Sequence, residues 1–251
     1  AFYVLLSTQI MKIALIGYGK MGHEIERILV ARGHEIPLII DYDTTDRMTA
    51  ENLAACDVAI EFTTPGTAYG NIVACLEAGV PVVCGTTAWL DRLPEVTALC
   101  ERNKGAFFYA SNYSIGVNVF FAVNRQLAEM MNRFPEYDVT LNEVHHVQKK
   151  DAPSGTAVTL AEGILAGIDR KSAWTLGATT VPTELGVTAQ RRSVVPGIHT
   201  VVWESEADVI TIDHTAKSRA GFAMGAVLAA EFMADKRGAG RVYGMKDLLG
   251  F

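Results

Sequence analysis

Two adjacent histidines, a lysine pair and a Pro-Ser-Gly-Thr turn lie close together in one stretch, EVHHVQKKDAPSGTAVTLAEG at residues 143–163. A histidine can gain or lose a proton near neutral pH, and a lysine ammonium is a cation that also donates protons. A turn that opens a helix can bind a carboxylate or a phosphate. Each residue alone is an ordinary surface residue, but the set predicts a site that binds an anionic substrate and transfers a proton to it.

The strand that carries the histidines is predicted at residues 138–146, where apolar residues alternate with polar ones at Val139, Leu141 and Val144. The two histidines stand at its end. Because neighbouring strand residues point to opposite faces of a sheet, both histidines can face one cleft only if the strand bends or ends there.

A helix is predicted after the turn, because Pro153 cannot continue a strand ladder, Ser154 is a good N-cap and an apolar stripe follows. Gly155 and Thr156 then lie in the first turn, where backbone N–H groups have no intrahelical partner and meet the positive end of the helix dipole. This turn is the predicted carboxylate site. One of the two lysines in the preceding loop supplies the predicted cation.

A second motif, GYGKMG at residues 17–22, matches G-x-G-x-x-G between a short apolar strand and a helix. A further strand at residues 36–40 ends in Asp41, at the distance typical of dinucleotide-binding units. The glycine motif alone is weak evidence, but this context predicts nucleotide binding. Asp41 favours NADH because a carboxylate repels a ribose phosphate, while Lys20 and Arg47 leave NADPH use open.

Strands and helices alternate up to residue 110, which predicts a doubly wound, Rossmann-like α/β domain with a parallel sheet. A long helix is predicted at residues 115–134. Strands predicted at 187–195, 199–205 and 207–213 then join the histidine strand, and the last two follow each other so closely that we expect antiparallel pairing. This pattern predicts a second, α+β domain with an open mixed sheet and a helix packed against it.

A final helix, predicted to run to Ala234, would return the chain to the first domain. The predicted division is therefore 1–113 with 217–251 for the dinucleotide and 114–216 for substrate binding and oligomerisation. Residues 1–10 lack the basic start and cleavage site of a signal peptide. We interpret them as an extension before Met11, either an added edge strand or an artefact.

Composition excludes several classes of function. The 251 residues carry a formal net charge of −6, which argues against a nucleic-acid partner, and no apolar run is long enough to span a membrane. The four cysteines form no CxxC pair and lie in apolar surroundings. We therefore expect buried thiols in a reducing, cytoplasmic compartment, and no metal site.

Six motifs occur in a characteristic order: GYGKMG at 17–22, EFTTP at 61–65, GTT at 85–87, ASNYSIGVN at 110–118, EVHHVQKKDAPSGTA at 143–157 and DHTAKSRAGFAMGA at 213–226. In this order they closely resemble the dihydrodipicolinate reductase family of lysine biosynthesis, from Met11 to the C-terminus. The His-His-x-x-Lys-x-Asp-Ala-Pro-Ser-Gly-Thr run is specific to that family. The resemblance implies NAD(P)H-dependent reduction of 4-hydroxy-tetrahydrodipicolinate, or its dehydrated form, to tetrahydrodipicolinate in the diaminopimelate route to lysine.

The resemblance also implies roles for individual residues. His145 and Lys149 match the proton-transfer residues, and which of them donates the proton stays open. The implied substrate contacts are His146, Gly155, Thr156 and Thr87. The implied cofactor contacts are Gly17, Gly19, Lys20, Met21, Gly22, Asp41, Gly85, Thr86, Thr87, Ala110, Ser111, Asn112, Tyr113, Arg219 and Phe222.

Two positions depart from the family pattern. Tyr42 stands where members that use NADPH well often have Arg, which supports NADH as the preferred cofactor. Ser193 stands where many members have Gly, within an Arg-x-Gly…Gly-x-His pattern at residues 191–199, so the register of that strand is open. The resemblance further implies a homotetramer built by pairing substrate-domain sheets. Because cofactor and substrate bind different domains, we expect closure when both are bound.

Two alternatives belong to other classes. Another amino-acid or imine dehydrogenase of this two-domain plan, such as an aspartate or homoserine dehydrogenase, would keep the first domain but not the His-His-x-x-Lys and Ser-Gly-Thr motifs. A non-enzymatic dinucleotide-sensing regulator would need a DNA-binding module, and the acidic chain offers no basic helix-turn-helix segment.

Overall fold

The computed structural model of the chain describes residues 9–251, so the interpretation of residues 1–10 falls largely outside the described residues. The chain divides into two compact units. Unit 1 comprises the described residues up to Ser114 together with Ala220–Phe251, and unit 2 comprises Ile115–Arg219. Unit 1 is therefore discontinuous in sequence, because unit 2 interrupts it.

The strands and helices alternate through most of the chain. The strands are β1 (Lys12–Ile16), β2 (Glu35–Ile40), β3 (Val58–Glu61), β4 (Val82–Cys84), β5 (Ala106–Tyr109), β6 (Asp138–His145), β7 (Ala173–Leu176), β8 (Glu184–Arg191), β9 (Ile198–Glu204), β10 (Val209–Thr215) and β11 (Arg241–Tyr243). The α-helices are α1 (Lys20–Ala31), α2 (Ala50–Ala54), α3 (Pro65–Glu77), α4 (Leu93–Arg102), α5 (Ile115–Met131), α6 (Gly155–Gly167), α7 (Ala220–Met233) and α8 (Met245–Leu249).

Unit 1 is built on a six-stranded sheet in the order β11-β5-β4-β3-β1-β2, and every neighbouring pair is parallel. On one face, Leu15 of β1 lies in a core with Ile25 of α1 and Val227 of α7. On the other face, Ile16 lies in a core with Ile72 of α3. Helices thus cover both faces, which confirms the predicted doubly wound fold.

The strand order reverses at β1, which has β2 on one side and β3 on the other. The turns that follow β1, β3 and β4 therefore emerge at one edge of the sheet, starting at Gly17, Phe62 and Gly85. In open parallel sheets, ligands bind outside the carboxyl ends of the strands at such a reversal. The fold places the glycine motif at this point.

Unit 2 is built on a five-stranded mixed sheet in the order β10-β9-β6-β8-β7. β6 and β7 both run parallel to β8, whereas β9 runs antiparallel to both β6 and β10. The predicted antiparallel pair and the predicted mixed sheet are confirmed. Helices α5 and α6 can pack closely because Gly167 of α6 has no side chain to collide with Ala128 of α5. A Cβ at Gly167 would come within 2.7 Å of the Ala128 Cβ.

Several predicted boundaries were wrong. β8 ends at Arg191 rather than at residue 195, because Ser193 adopts a positive φ of 45° that a continuing strand does not allow. β10 lies two residues later than predicted, at Val209–Thr215. Four short elements, α2, β7, β11 and α8, were not predicted, and each has five residues or fewer. Segments this short show too little periodicity to be recognised.

The turn at Ser193 holds the end of the histidine strand. Val147 donates its backbone N–H to the Ser193 carbonyl oxygen at 3.2 Å, and Arg192 donates to the His145 carbonyl oxygen at 2.7 Å. Left-handed backbone is costly for side chains with a Cβ, so glycine would adopt the conformation of Ser193 more easily than serine does.

We therefore expect Ser193→Gly to raise the free energy of unfolding by up to about 1 kcal/mol, and Ser193→Val to lower it by about 1–2 kcal/mol. Glycine adopts positive φ without steric cost, whereas a β-branched side chain is the least tolerant. Urea denaturation measures both changes, with Ser193→Ala as the control for loss of the hydroxyl. Equal stability of the glycine and valine variants would contradict a left-handed Ser193.

The four cysteines are free thiols, and all are buried. Burial raises the pKa of the Cys56 thiol to about 11, which keeps it protonated near neutral pH. The predicted role as small buried apolar residues is confirmed. Among residues 9–251, no helix is both long enough and apolar enough to cross a bilayer.

Candidate active site

One face of β6 changes along its length from apolar to ionisable. Val139, Leu141, Glu143 and His145 alternate along the strand and are all buried on the same face. Val144, which the sequence analysis assigned to the apolar set, lies between them and is only half-buried. Glu143 and His145 therefore lie next to each other on the buried face of β6, at the edge of the core of unit 2.

Strand pairing brings two further polar residues to this end. His199 of β9 stands directly opposite Glu143, and Arg191 of β8 stands directly opposite His145. The imidazoles of His145 and His199 lie edge to face with centroids 5.0 Å apart. The sequence alone gives no sign of a role for Glu143, Arg191 or His199, because only the pairing register brings them together.

The carboxylate of Glu143 is fully buried and lies at the centre of this group. The Ser154 backbone N–H donates to both of its oxygens at 3.1 Å, and Nη2 of Arg191 donates to Oε1 at 3.1 Å. Nδ1 of His145 lies 3.4 Å from Oε2, and Nε2 of His199 lies 3.7 Å from it. Both distances are in the ion-pair range but lack hydrogen-bond geometry.

Charge is distributed unevenly within this group. Burial alone would raise the pKa of Glu143, but the donors facing it from His145, His199 and Ser154 outweigh burial and hold that pKa well below its ordinary value. Burial lowers the pKa of His199, an effect that the neighbouring Glu143 opposes. The group therefore combines an ionised carboxylate with a neutral His199 near pH 7.

Arg191 also fixes the loop that carries the lysines. Its Nε donates to the carbonyl oxygen of Lys149 at 3.3 Å, and its Nη2 donates to the carbonyl oxygen of Asp151. The Lys149 ammonium in turn lies 2.9 Å from the Asp151 carboxylate, and its side chain is 22% exposed. That ion pair lowers the pKa of Asp151. Lys149 is thus held near the strand end with its charge accessible to solvent.

The helix start that was predicted to bind an anion is present. Ser154 is the N-cap of α6, and its Oγ accepts a hydrogen bond from the Ala157 backbone N–H at 3.2 Å. Gly155 and Thr156 lie in the first turn of the helix. A Cβ at Gly155 would meet no atom within 4 Å, so the turn is open on that side. His146 follows the end of β6 and is half-buried.

Glu143, His145 and His199 each offer a possible metal ligand, and the three ligand atoms lie within 4.8 Å of one another. No metal site was predicted from the sequence. The arrangement nevertheless suits a metal poorly, because the Ser154 N–H and the Arg191 guanidinium already occupy the carboxylate oxygens. A cation bound there would also face the positive charge of Arg191. We therefore assign the three side chains to a hydrogen-bonded and ion-paired network.

In unit 1, the glycine motif forms a close-packed turn between β1 and α1. Gly17 has φ of 96°, and a Cβ there would lie 2.0 Å from the carbonyl oxygen of Phe62. A Cβ at Gly22 would lie 2.3 Å from the carbonyl oxygen of Gly17. Gly19, the N-cap of α1, faces open space instead. This geometry fits a pyrophosphate at the helix N-terminus, where Lys20 and Met21 begin the helix.

Two cavities adjoin this turn. One, of about 330 Å³, is lined by Gly17, Asp41 and Tyr42 among others. The other, of about 430 Å³, is lined by Lys20 and Thr87 among others. Gly19, Phe62 and Thr63 line both cavities. No role was predicted for Phe62 and Thr63 of the EFTTP motif. Their position directly after the end of β3 could have indicated that they line a ligand site.

The predicted cofactor residues after β4 differ in what they expose. Gly85 lies against the ring of Phe62, and a Cβ at this position would come within 2.0 Å of that ring. Thr86 is buried, and its hydroxyl accepts a hydrogen bond from the Thr63 backbone N–H at 2.8 Å. Thr87 is exposed and lines the larger cavity. Thr86 thus shapes the turn, whereas Thr87 is accessible to a ligand.

The segment after β5 is held by α7. Tyr113 is buried in the core of unit 1, and its hydroxyl donates to the Cys84 carbonyl oxygen at 2.6 Å. A Cβ at Gly225 of α7 would lie 1.8 Å from the Tyr113 carbonyl oxygen. The phenol of Tyr113 therefore stabilises the core of unit 1 through packing and this hydrogen bond. Ala110 is also buried, Ser111 is exposed, and the Asn112 side chain accepts a hydrogen bond from the Ser114 N–H.

The remaining predicted cofactor residues lie near the ends of β2 and α7. Asp41 is half-buried, and its Oδ1 accepts a hydrogen bond from the Tyr42 backbone N–H at 2.9 Å. The Tyr42 side chain itself is exposed. Arg219 is exposed and immediately precedes α7 rather than lying within it, whereas Phe222 is half-buried in the first turn of that helix.

Comparison with known proteins covers nearly the whole chain. The family model for the N-terminus of dihydrodipicolinate reductase matches residues 11–113, and the model for its C-terminus matches residues 116–249. A 4-hydroxy-tetrahydrodipicolinate reductase of Christiangramia forsetii is 47% identical over 239 residues, covering 95% of this chain and 98% of the relative. One of Methanosarcina acetivorans is 33% identical, with coverages of 97% and 91%.

A solved structure shares the fold. Dipicolinate-bound dihydrodipicolinate reductase from Paenisporosarcina sp. TG-14 aligns with a TM-score of 0.72 at 22% identity, covering 95% of this chain and 99% of that one. The sequence matches extend over both units, and the relatives are matched over most of their own length. The chain belongs to the dihydrodipicolinate reductase family.

Proposed function

We propose that this protein is an NAD(P)H-dependent 4-hydroxy-tetrahydrodipicolinate reductase, acting in the diaminopimelate route to lysine. The observation that carries the proposal is the arrangement in unit 2, where Arg191 ties the loop of Lys149 to the same buried carboxylate that binds the N-cap of α6. Proton-transfer groups and an anion-binding turn are thereby linked in one network. Unit 1 contributes a glycine turn that fits a dinucleotide.

The dinucleotide is proposed to be held by unit 1. The turn at Gly17, Gly19 and Gly22 would receive the pyrophosphate, and Asp41 would accept hydrogen bonds from the adenosine ribose. Arg219 and Phe222 are proposed to lie near the cofactor as well. When bound, the reduced nicotinamide supplies a hydride to ring carbon 4 of the conjugated imine that the hydroxylated substrate forms by losing water.

The substrate is a dianion, and unit 2 offers positive potential to bind it. Gly155 and Thr156 present first-turn amides, Lys149 presents an ammonium, and His146 presents an imidazole. Fixed donors of this kind stabilise negative charge more strongly than water does, because they need not reorganise. We assign the substrate carboxylates to these groups, with Thr87 of unit 1 as a further contact.

His145 and Lys149 are assigned to proton transfer. Arrival of a hydride at carbon 4 leaves an enamine-like anion that takes a proton at carbon 3, so one hydride and one proton complete the reduction. Both groups lie at the end of β6, one in the last residue of the strand and one in the loop that Arg191 fixes. A positioned acid contributes about 10²- to 10⁴-fold to such a step.

The proposed function is tested by following NADH and NADPH oxidation by absorbance, with freshly made product of the preceding synthase of the lysine pathway. We expect NADH or NADPH to be oxidised only when this cyclic imine product is present. Binding of NADH without imine-dependent oxidation would refute the reductase assignment and favour a dinucleotide-sensing protein.

NADH is the proposed preferred cofactor. Asp41 places a carboxylate at the end of β2, where a ribose phosphate would be repelled, and the neighbouring Tyr42 offers no compensating charge. Tyr42 is 86% exposed, so its side chain can be replaced without disturbing the core.

Tyr42→Arg is expected to raise kcat/KM for NADPH by about tenfold, the equivalent of one favourable charge-assisted contact of about 1.4 kcal/mol. The value for NADH should change by less than about threefold, since its adenosine ribose carries no 2′-phosphate to interact with the new cation. Tyr42→Gln removes the ring without adding charge and is the matched control. An equal gain in the glutamine variant would show that charge is not the cause.

The resemblance to the dihydrodipicolinate reductase family leads us to propose a homotetramer that acts in the cytoplasm. β10 is an edge strand of the unit 2 sheet and exposes Val209 and Ile210, and β7 at the other edge exposes Leu176. Exposed apolar edge strands are commonly covered by another chain. Four free thiols are compatible with a reducing compartment.

A further inference from the structure

Glu143 is the only member of the network around His145 that carries a negative charge and is fully buried. It contacts both halves of the proposed substrate site. On one side its Oε2 lies 3.4 Å from Nδ1 of His145, and on the other both its oxygens accept the N–H of Ser154, the N-cap of α6. The roles proposed for His145, Lys149 and the first turn of α6 give this carboxylate no part of its own in the reaction.

We propose that Glu143 is the positioning residue of this site. Its carboxylate orients the His145 imidazole from behind and anchors the start of the anion-binding turn, so that one buried charge aligns the proton-transfer group with the substrate carboxylate. The inference rests on the proposed function, since it assigns Glu143 to the same reaction.

The charge of Glu143 favours a proton on Nδ1 of His145 rather than on Nε2. A bare Nδ1 at 3.4 Å from Oε2 would set its lone pair against a carboxylate, whereas an Nδ1–H is attracted to it. Nε2 is then the nitrogen that exchanges a proton with the substrate. Gly197 lies beside this nitrogen, and a Cβ there would come within 3.0 Å of Nε2. Glycine at this position leaves space at the reactive atom.

The other contacts of Glu143 keep its charge in place. Arg191 supplies a compensating cation at 3.1 Å, and its side chain is anchored by backbone carbonyl groups of the lysine loop. His199 approaches Oε2 at 3.7 Å and also lies 3.1 Å from the Ser154 hydroxyl. The carboxylate is thus enclosed by donors on every contacting element, β6, β8, β9 and the turn before α6.

The first experiment replaces Glu143 with Gln, which keeps the shape and one acceptor oxygen but removes the charge. We expect kcat to fall about tenfold or more, a part of the roughly 10²- to 10⁴-fold that a positioned acid contributes. The dissociation constant for NADH should change by less than about twofold, because the proposed dinucleotide site lies in unit 1. Glu162→Gln, the same change at an exposed position of α6, is the matched control.

A double-mutant cycle separates positioning from a general structural role. If Glu143 acts through His145, then Glu143→Gln should lower kcat by less than about twofold in a His145→Gln background, since the group that it orients is already absent. A purely structural loss would reduce kcat by the same factor in both backgrounds, and that result would overturn the proposal.

A measurement on the wild type decides the question even if Glu143→Gln does not fold. Long-range ¹H–¹⁵N spectra identify the tautomer of neutral His145, with His145→Gln used for assignment. An Nδ1–H tautomer supports the proposal, and an Nε2–H tautomer overturns it. Wild-type protein without reductase activity would instead refute the proposed function, and the tautomer would still decide whether Glu143 orients His145.

Discussion

Lys149→Ala is expected to lower kcat by about 100-fold or more, because the substitution removes the proposed cation for the dianionic substrate and one of the two proposed proton-transfer groups. The dissociation constant for NADH should change by less than about twofold, since the assigned cofactor residues other than Arg219 lie in unit 1. Steady-state kinetics and a fluorescence titration with NADH measure the two quantities. The stability of the fold should be nearly unchanged, because the Lys149–Asp151 ion pair is partly exposed.

Lys150→Ala is the matched control for this prediction. Lys150 is the next residue of the same loop and is exposed, whereas Lys149 is tied to Arg191 through its carbonyl oxygen. Replacing Lys150 removes the same charge from the loop but leaves the network at the end of β6 unchanged. A Lys149→Ala variant with near-normal turnover would exclude Lys149 from catalysis, and an equal loss in both variants would indicate a general charge effect.

Gly17→Ala is expected to abolish dinucleotide binding and to lower the free energy of unfolding by about 3–5 kcal/mol. The new Cβ would lie 2.0 Å from the carbonyl oxygen of Phe62, and the φ of 96° is itself unfavourable for alanine. The backbone N–H of Gly17 also donates to the Ile40 carbonyl oxygen at 2.8 Å. Displacement of Gly17 would therefore disturb the end of β2, where Asp41 follows.

Gly70→Ala is the control for the loss of a glycine in unit 1. Gly70 lies within α3, and a Cβ there would meet no atom within 4 Å. Alanine is the better helix former by about 1 kcal/mol, so this variant should bind NADH normally and be as stable as the wild type or more so. Calorimetric titration with NADH and thermal unfolding compare the two. Normal NADH affinity in Gly17→Ala would exclude a role for this turn.

The sequence was most informative where function depends on local order. The strand end near His145 and the helix start at Gly155 were predicted from residues that follow one another along the chain, and both elements are present. The roles of His145, Lys149 and Gly155 stay predictions. The family resemblance depended on local motifs and the doubly wound fold on the alternation of strands and helices. The family matches confirm the first, and the parallel sheet covered on both faces confirms the second. The N-cap at Ser154 was predicted from the residue type and is present.

The sequence was least informative where function depends on pairing between strands. No role was predicted for Glu143, which lies outside the apolar set predicted for this strand, although its side chain is fully buried. Its burial is possible only because Arg191 and His199, which are distant in sequence, stand beside it in the sheet. No periodicity in a single strand reveals which residues of other strands will compensate a buried charge.

The interruption of unit 1 by unit 2 has a consequence for biosynthesis. A ribosome delivers β1 to β5 first, then all of unit 2, and only afterwards α7 and β11. Until then, β5 remains an unpaired edge and one face of the parallel sheet lacks the buried side chains of α7. Unit 2 can therefore complete its core during translation, whereas the nucleotide-binding half must wait for the last segment of the nascent chain.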